Sequence, residues 1–188
     1  MDLDALAARV RAAPPRCGAT RLVCVDGPSG SGKTTFAGRL AAVLGCPVLH
    51  LDDLYPGWDG LAAAVPLLHD GVVAPLVAGR PASHRRWDWA GNGFAGTVPV
   101  GRPEVLVVEG AGSGARVIAA HAVLLVWLEA PRAERFRRGI ARDGEAYRPH
   151  WERWAAQEAT HFAAEGTRGR ADVVVDTALT PPPGARSG

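Results

Sequence analysis

Residues 21–34 read RLVCVDGPSGSGKT, an apolar run followed at once by a glycine-rich turn. The run Arg21–Val25 has the β-rich composition of a short buried parallel strand, and Thr34–Leu44 has the apolar spacing of a helix. Residues 27–34 match GxxxxGKS/T in the strand–turn–helix context that this pattern requires. In such a turn, successive N–H groups converge on phosphate groups at a helix N-terminus. The sequence therefore predicts a phosphate-binding loop.

The loop contains the only lysine of the chain, Lys33, among 21 basic side chains. A lone lysine in an arginine-rich background indicates a site that needs an ammonium group. Lys33 is expected to reach the β- and γ-phosphates of a nucleotide, and the Thr34 hydroxyl to hold Mg²⁺. We therefore expect ATP and Mg²⁺ as cofactors. The residues predicted to bind them are Gly27, Ser29, Gly30, Ser31, Gly32, Lys33, Thr34 and Thr35.

The composition sets limits on the class of protein. With 188 residues the chain is expected to form one domain. A hydrophobic fraction of 47%, a charged fraction of 21% and a net charge of +2 exclude a disordered chain, a collagen-like repeat and a polybasic nucleic-acid binder. Three cysteines without a CxxC pair favour a reducing cytoplasm. No apolar run approaches the ~18 residues of a membrane span, so we expect no membrane partner.

The order of elements predicts an α/β fold. The candidate strands are 21–25, 47–51, 105–108, 122–128 and 172–176. The candidate helices are 2–13, 34–44, 61–68, 72–78 and 132–142. Because parallel strands need long crossovers, this alternation predicts a five-stranded parallel sheet with helices on both faces. Residues 79–101 interrupt the alternation and are expected to form a hairpin or an ordered loop at the ligand edge. The domain is expected to span 1–176, followed by a disordered tail, 177–188.

Acidic residues directly follow two of the predicted strands. Asp52 and Asp53 close the second strand, and Glu109 closes the third. Ligands of parallel sheets bind beyond the carboxyl ends of the strands. A phosphoryl transfer to a hydroxyl group needs a carboxylate that accepts the proton, and Asp52 or Asp53 could serve. Glu109 is placed like an acid that holds Mg²⁺. Capping of a turn is the alternative role of the two aspartates.

Four segments together resemble the uridine kinase and nicotinamide riboside kinase branch of the P-loop kinases. They are GPSGSGKTT at 27–35, LDDLYPGW at 51–58, RRWDW at 85–89 and VVEG at 107–110. The resemblance implies a single-domain P-loop fold in which Asp52 is the general base for a sugar hydroxyl and Glu109 helps to position Mg²⁺. It also implies that the motif Trp87-Asp88-Trp89 contributes to a nucleoside pocket. The His-x-Arg that follows this motif in many uridine kinases is absent, so the acceptor stays open.

Five arginines crowd the predicted helix 132–142, and two of them, Arg138 and Arg142, lie four residues apart. By resemblance, residues 132–150 form a lid that brings cations to the transferred phosphate, with Arg138 and Arg142 as catalytic residues. A salt-bridge ladder through Glu134 is the alternative. The acceptor-side insertion is placed at 53–101. Its predicted substrate-binding residues are Asp53, Tyr55, Arg80, Trp87 and Asp88.

Together these features predict a phosphotransferase that moves the γ-phosphate of ATP to a hydroxyl group of a small acceptor, most simply a nucleoside such as uridine or cytidine. A nucleoside monophosphate kinase, with Arg80, Arg85 and Arg86 on the acceptor phosphate, is the second interpretation. A nucleotide-dependent switch or ATPase without a small acceptor is the third. A homo-oligomer is compatible with each of them.

Overall fold

The structure, a computed structural model, describes residues 1–178, apart from the side chain of Ala146. Its strands are β1 (Arg21–Asp26), β2 (Val48–His50), β3 (Ala82–Asp88), β4 (Gly93–Gly101), β5 (Val105–Glu109), β6 (Ala122–Glu129) and β7 (Val173–Asp176). Its α-helices are α1 (Leu3–Ala12), α2 (Lys33–Leu44), α3 (Leu61–Leu68), α4 (Ala74–Val77), α5 (Arg116–Ala119), α6 (Arg132–Asp143), α7 (Arg148–Glu165) and α8 (Thr167–Arg170).

Five strands form one parallel sheet in the order β2-β5-β1-β6-β7. Side chains of the central strand β1 alternate between two cores: Leu22 and Cys24 face one, and Val23 and Val25 the other. Helices α1 and α2 cover the second core, whereas α3, α4, α5 and α7 contribute to the first. The predicted α/β architecture, with a five-stranded parallel sheet and helices on both faces, is therefore confirmed.

The parallel register brings the carboxyl ends of three strands to one edge. Glu109 at the end of β5 pairs with Val25 of β1 and with His50 of β2. The chain then leaves each strand in a loop at that edge, and the Gly110 N–H donates to the Val25 carbonyl. The loop at 27–32, a 3₁₀ turn at 51–53 and the loop at 110–115 consequently lie side by side.

The insertion between β2 and β5 contains the hairpin that was one of the two expectations for residues 79–101. Strands β3 and β4 pair antiparallel and form a separate two-stranded sheet. The predicted helix at 72–78 differs from the structure, because α3 continues through a π-helical turn at 69–73 into α4. Gly71 lies in this turn, where a Cβ atom would be 2.8 Å from the Ser83 carbonyl oxygen. The turn therefore packs directly on the hairpin.

Thr177, the first residue assigned to the predicted tail, contacts the domain in the structure. Thr177 continues the fold, since its N–H donates to the Glu129 carbonyl and its hydroxyl to the Ser31 carbonyl of the glycine-rich loop. The prediction of disorder for 179–188 lies outside the described residues. Within 1–178, no helix has the length and apolar character needed to cross a membrane.

We predict that Gly27→Ala destabilises the protein by about 3 kcal/mol. Gly27 has a φ of 141°, and an added Cβ would lie 2.1 Å from the Leu128 carbonyl oxygen of β6. Gly38, on the exposed side of α2, is the matched control because an added Cβ meets nothing within 4 Å. Gly38→Ala is expected to stabilise by up to about 1 kcal/mol through helix propensity. Chemical denaturation of both variants checks this, and equal unfolding midpoints would contradict it.

Candidate active site

A cavity of about 760 Å³ opens at the carboxyl edge of the parallel sheet. Its walls combine the glycine-rich loop with five acids, five aromatic residues and two arginines. The loop residues are Ser29, Gly30, Gly32, Lys33, Thr34 and Thr35, and the acids are Asp52, Asp53, Glu109, Asp143 and Glu158. The aromatic residues are Tyr55, Trp58, Trp89, Tyr147 and Trp154, and the arginines are Arg138 and Arg142.

The glycine-rich loop has the shape of a phosphate site. Gly32, with a φ of 92°, turns the chain into α2, so that Lys33 begins the helix. The Lys33 ammonium folds back over the loop and donates to the Pro28 carbonyl at 3.0 Å. Phosphate oxygens are stronger acceptors for that ammonium than a carbonyl. Two of the residues predicted to bind the phosphates do not line the cavity: Gly27 packs on β6, and Ser31 is fully buried.

Thr34 and Glu109 meet at the point where the sequence predicts Mg²⁺. The Thr34 hydroxyl donates to Glu109 Oε1 at 3.2 Å, and His50 Nδ1 lies 2.6 Å from the same oxygen. This hydrogen bond to Glu109 raises the pKa of His50. Mg²⁺ binds through few protein oxygens and completes its shell with substrate phosphates and water. One hydroxyl and one carboxylate beside the phosphate loop fit that chemistry, and His50 orients the carboxylate.

Asp52 lies on the 3₁₀ turn that follows β2 and lines the same cavity as Lys33. Solvent reaches its carboxylate through the cavity, yet the surrounding walls reduce its solvation and raise its pKa. The charge of Glu109 raises the pKa further, whereas Arg142 and Lys33 oppose the shift. The Trp89 indole donates to the Asp52 carbonyl at 3.0 Å and fixes this turn to the tip of the hairpin.

Trp58 is the centre of an aromatic wall of the cavity. Its ring stacks on His150 at a centroid distance of 4.3 Å and an interplanar angle of 7°. Tyr147 lies 5.4 Å away at 22°, and Trp89 4.9 Å away at 54°. The Trp58 carbonyl also accepts a hydrogen bond from Gln157 of α7. Several aromatic faces thus meet beside the phosphate loop.

Three of the predicted acceptor residues do not reach this cavity. Arg80 is exposed after α4. Trp87 packs edge-on against Phe94 of the hairpin, with ring centroids 5.1 Å apart. The Asp88 carboxylate accepts from the Ala90 N–H and therefore caps the hairpin turn. Because β3 ends at Asp88, the next residue, Trp89, leaves the strand and is the tryptophan of this segment that lines the cavity.

Two of the predicted acceptor residues do line the cavity. Asp53 follows Asp52 on the 3₁₀ turn. The Tyr55 ring forms part of the wall, while its hydroxyl donates to the Ala111 carbonyl at 2.9 Å. Tyr55 therefore contributes an apolar surface and anchors the loop after β5.

The arginines of α6 all have protein partners: four pair with carboxylates, and Arg135 donates to the Ala130 and Ser29 carbonyls. Arg138 donates to Glu134 and to both Thr177 oxygens, and Arg142 donates with two nitrogens to Asp143. The hydrogen bonds to Asp143 raise the pKa of Arg142. Only these two of the five arginines line the cavity, so they are the ones that can reach a bound phosphate by exchanging partners.

Asp26 and Glu158 were missed by the sequence analysis. The Asp26 carboxylate accepts the N–H groups of Gly27, Gly112 and Gly114, and burial raises its pKa to about 6 against the effect of those bonds. Its place at the end of the strand before the glycine-rich loop was the available signal. Glu158, on α7, accepts the Ser29 N–H. Nothing local in the sequence marks it, because its partner is 129 residues away.

The glycine-rich loop between β1 and α2, on a parallel sheet of this order, defines a P-loop fold. Two solved structures share it. A protein described as a possible uridine kinase from Bacillus stearothermophilus is 22% identical, with a TM-score of 0.65 over 93% of this chain and 97% of its own. A candidate fructose transport system kinase from Silicibacter sp. TM1040 is 23% identical, with a TM-score of 0.64 over 93% and 99%. The chain matches no protein-family profile and no curated protein.

We predict that Lys33→Ala weakens binding of Mg²⁺·ATP about 10- to 100-fold, because charge-assisted hydrogen bonds to phosphate are lost. Arg39→Ala is the control, since it removes a cation from an exposed position of the same helix. Isothermal titration calorimetry measures both affinities. If Lys33→Ala and Arg39→Ala bind the nucleotide equally well, the assignment of the loop is wrong.

Proposed function

We propose that the protein is an ATP- and Mg²⁺-dependent phosphotransferase that moves the γ-phosphate to a hydroxyl group of a small acceptor, a nucleoside of the uridine or cytidine kind. One observation carries the proposal: a cavity shared by Lys33 of the phosphate loop and the carboxylate of Asp52. A hydroxyl group placed between them has a phosphate on one side and a proton acceptor on the other.

The cavity residues can divide the reaction among them. The loop N–H groups and Lys33 hold the phosphates of ATP, and Asp52 accepts the proton of the attacking hydroxyl group. The acceptor oxygen bonds to the γ-phosphorus while the bond to the bridging oxygen breaks, and ADP leaves. Thr34 and Glu109 would hold Mg²⁺, which neutralises phosphate charge when bound. Arg138 and Arg142 stabilise the transferred group when they exchange their present partners for it.

The acceptor side of the cavity favours a planar ring without an anionic group. Trp58 and Trp89 line it with aromatic surface, and Asp53 lies beside Asp52 on the same wall. Stacking on such faces holds nucleobases well, whereas carboxylates repel a phosphorylated acceptor. The clamp expected of a nucleoside monophosphate kinase is not assembled, because Arg80 lies outside the cavity and Arg85 packs over the Phe94 ring.

An aromatic and acidic acceptor wall also favours the phosphotransferase over a switch without a small acceptor. A switch needs the nucleotide site alone, and such a wall has no role in it. The two solved structures of the same fold are both described as kinases, which agrees with the proposal without assigning an acceptor.

The proposal is tested by coupling ADP formation to a panel of nucleosides, nucleoside monophosphates and hydroxy acids in the presence of Mg²⁺. We expect turnover with a nucleoside and little with its monophosphate. A faster reaction with the monophosphates would favour the second interpretation. ATP hydrolysis that no acceptor changes would favour the switch.

Asp52→Asn is predicted to lower kcat about 10²- to 10⁴-fold, because the amide cannot accept the proton. ATP affinity should be unchanged in calorimetry. The neighbouring Asp53→Asn is the matched comparison and is expected to raise the KM of the acceptor more than it lowers kcat. If Asp53→Asn has the larger effect on kcat, the general base is Asp53.

The pH dependence of kcat/KM provides a separate prediction. Asp52 must be ionised to accept a proton, and its pKa is raised above the ordinary value of 3.8, chiefly by reduced solvation. Activity should therefore fall as the pH drops through that raised pKa, with a midpoint above 3.8. The residual activity of Asp52→Asn should lack this acid limb. An unchanged limb in the variant would show that another group titrates.

A further inference from the structure

Glu158 places a buried carboxylate against the phosphate loop. Its Oε1 atom accepts the Ser29 N–H at 2.6 Å and the Trp154 indole N–H at 2.9 Å. The residue is 3% exposed and lines the same cavity as Lys33. No group within residues 1–178 donates a hydrogen bond to its second oxygen, Oε2. The role proposed above for the site makes no use of this carboxylate.

All three polar groups of Ser29 form hydrogen bonds with residues that follow β6 in the chain. Besides the N–H bond to Glu158, its carbonyl accepts from Arg135 Nη1 at 3.2 Å, and its Oγ accepts from the Tyr147 hydroxyl at 2.8 Å. Next to it, a Cβ on Gly30 would lie 2.2 Å from the Arg135 carbonyl oxygen. This corner of the loop therefore has a fixed position relative to α6 and α7.

Several contacts of Glu158 favour the ionised form of its carboxylate. Burial raises its pKa, while Lys33, the Ser29 N–H and Arg135 act in the opposite direction. Two N–H donors converge on one of its oxygens, which favours the ionised form. The N–H groups of a phosphate loop are made to bind phosphate oxygens. Here one of them binds an anion that belongs to the protein.

The position of Glu158 relative to Asp52 indicates which phosphate it faces. Trp154, which donates to Glu158, packs edge-on against Tyr55 at 4.8 Å, and Glu158, Tyr55 and Asp52 line the same cavity. Glu158 thus borders the same part of the cavity as Asp52, the general base of the proposed function. The phosphate to be transferred has to lie on that side, because the acceptor hydroxyl group does.

We propose that Glu158 is a specificity-determining residue whose carboxylate occupies the Ser29 end of the phosphate loop and repels the terminal phosphate of ATP. This repulsion reduces the preference for ATP over ADP that the N–H groups of the loop would give on their own. The proposal rests on the proposed function insofar as a nucleotide must bind the loop. A diphosphate lacks the group nearest to Glu158 and meets less of this repulsion.

Glu158→Gln tests the proposal because an amide oxygen can still accept both N–H bonds while the charge is gone. Calorimetry in Mg²⁺ measures the Kd of ADP and of the non-hydrolysable analogue adenylyl imidodiphosphate. We expect the ratio of the two Kd values to shift about tenfold in favour of the triphosphate analogue. An unchanged ratio, or equal weakening of both nucleotides, would overturn the proposal and leave Glu158 a purely structural residue.

Two controls separate charge at the loop from other effects. Glu152→Gln removes an exposed charge from the same helix and should leave both affinities unchanged. Tyr147→Phe removes another bond to Ser29 without changing charge, and should affect both nucleotides alike. If Glu158→Gln does not fold, Glu158→Asp replaces it: the shorter side chain draws the carboxylate away from Ser29, and a ratio that does not rise contradicts the proposal.

The same titrations keep this proposal distinct from the proposed function. Failure of the wild-type protein to bind either nucleotide would overturn both. Binding of both nucleotides by the wild type, with the same ratio in Glu158→Gln, would overturn only the role of Glu158.

Discussion

The site depends on one buried carboxylate, that of Asp26 at the end of β1. Its two oxygens accept the N–H groups of Gly27 at 2.7 Å, Gly112 at 3.1 Å and Gly114 at 2.8 Å. These three amides begin the phosphate loop and line the loop after β5. Without Asp26 they would be buried donors with no partner, each costing about 1–3 kcal/mol. The carboxylate therefore fixes the two loops relative to each other, and with them the distance from Lys33 to Glu109.

A second constraint is the balance of charge around the single lysine. Asp52 and Glu158 both have raised pKa values, chiefly because they are poorly solvated, and the Lys33 ammonium lowers the pKa of each. Lys33 therefore stabilises two carboxylates as well as the loop carbonyl that it contacts. Under the proposed function a nucleotide would add negative charge to this cluster, and Mg²⁺ and the arginines of α6 would offset it. The nucleotide would thus bind together with Mg²⁺, which would balance part of its negative charge.

Features that depend on neighbouring residues could be predicted from the sequence, whereas contacts between distant segments could not. The sequence predicts the sheet, the helices on both of its faces and the phosphate loop. Their signals are local: the periodicity of hydrophobic residues and the spacing of residues 27–34. The roles of Thr177 and Glu158 could not be predicted, since their contacts with Ser31 and Ser29 join segments far apart in the chain. Which residue of the motif Trp87-Asp88-Trp89 lines the cavity could not be predicted for a different reason. The end of β3 at Asp88 decides which of two neighbouring tryptophans faces the cavity, and element boundaries are poorly marked in sequence.

The predicted lid can act in this fold without a large displacement of α6. The N-terminal half of the helix is anchored, because Arg135 bonds to Ser29 and its backbone packs on Gly30. Arg142, further along the helix, has a weaker contact, because it pairs with the adjacent Asp143 and half of its side chain is exposed. Exposed pairs contribute about 0–1 kcal/mol, so a triphosphate can replace them at little cost. Under the proposed function, cations would reach the transferred phosphate by exchange of side-chain partners on a helix that the phosphate loop already holds in place.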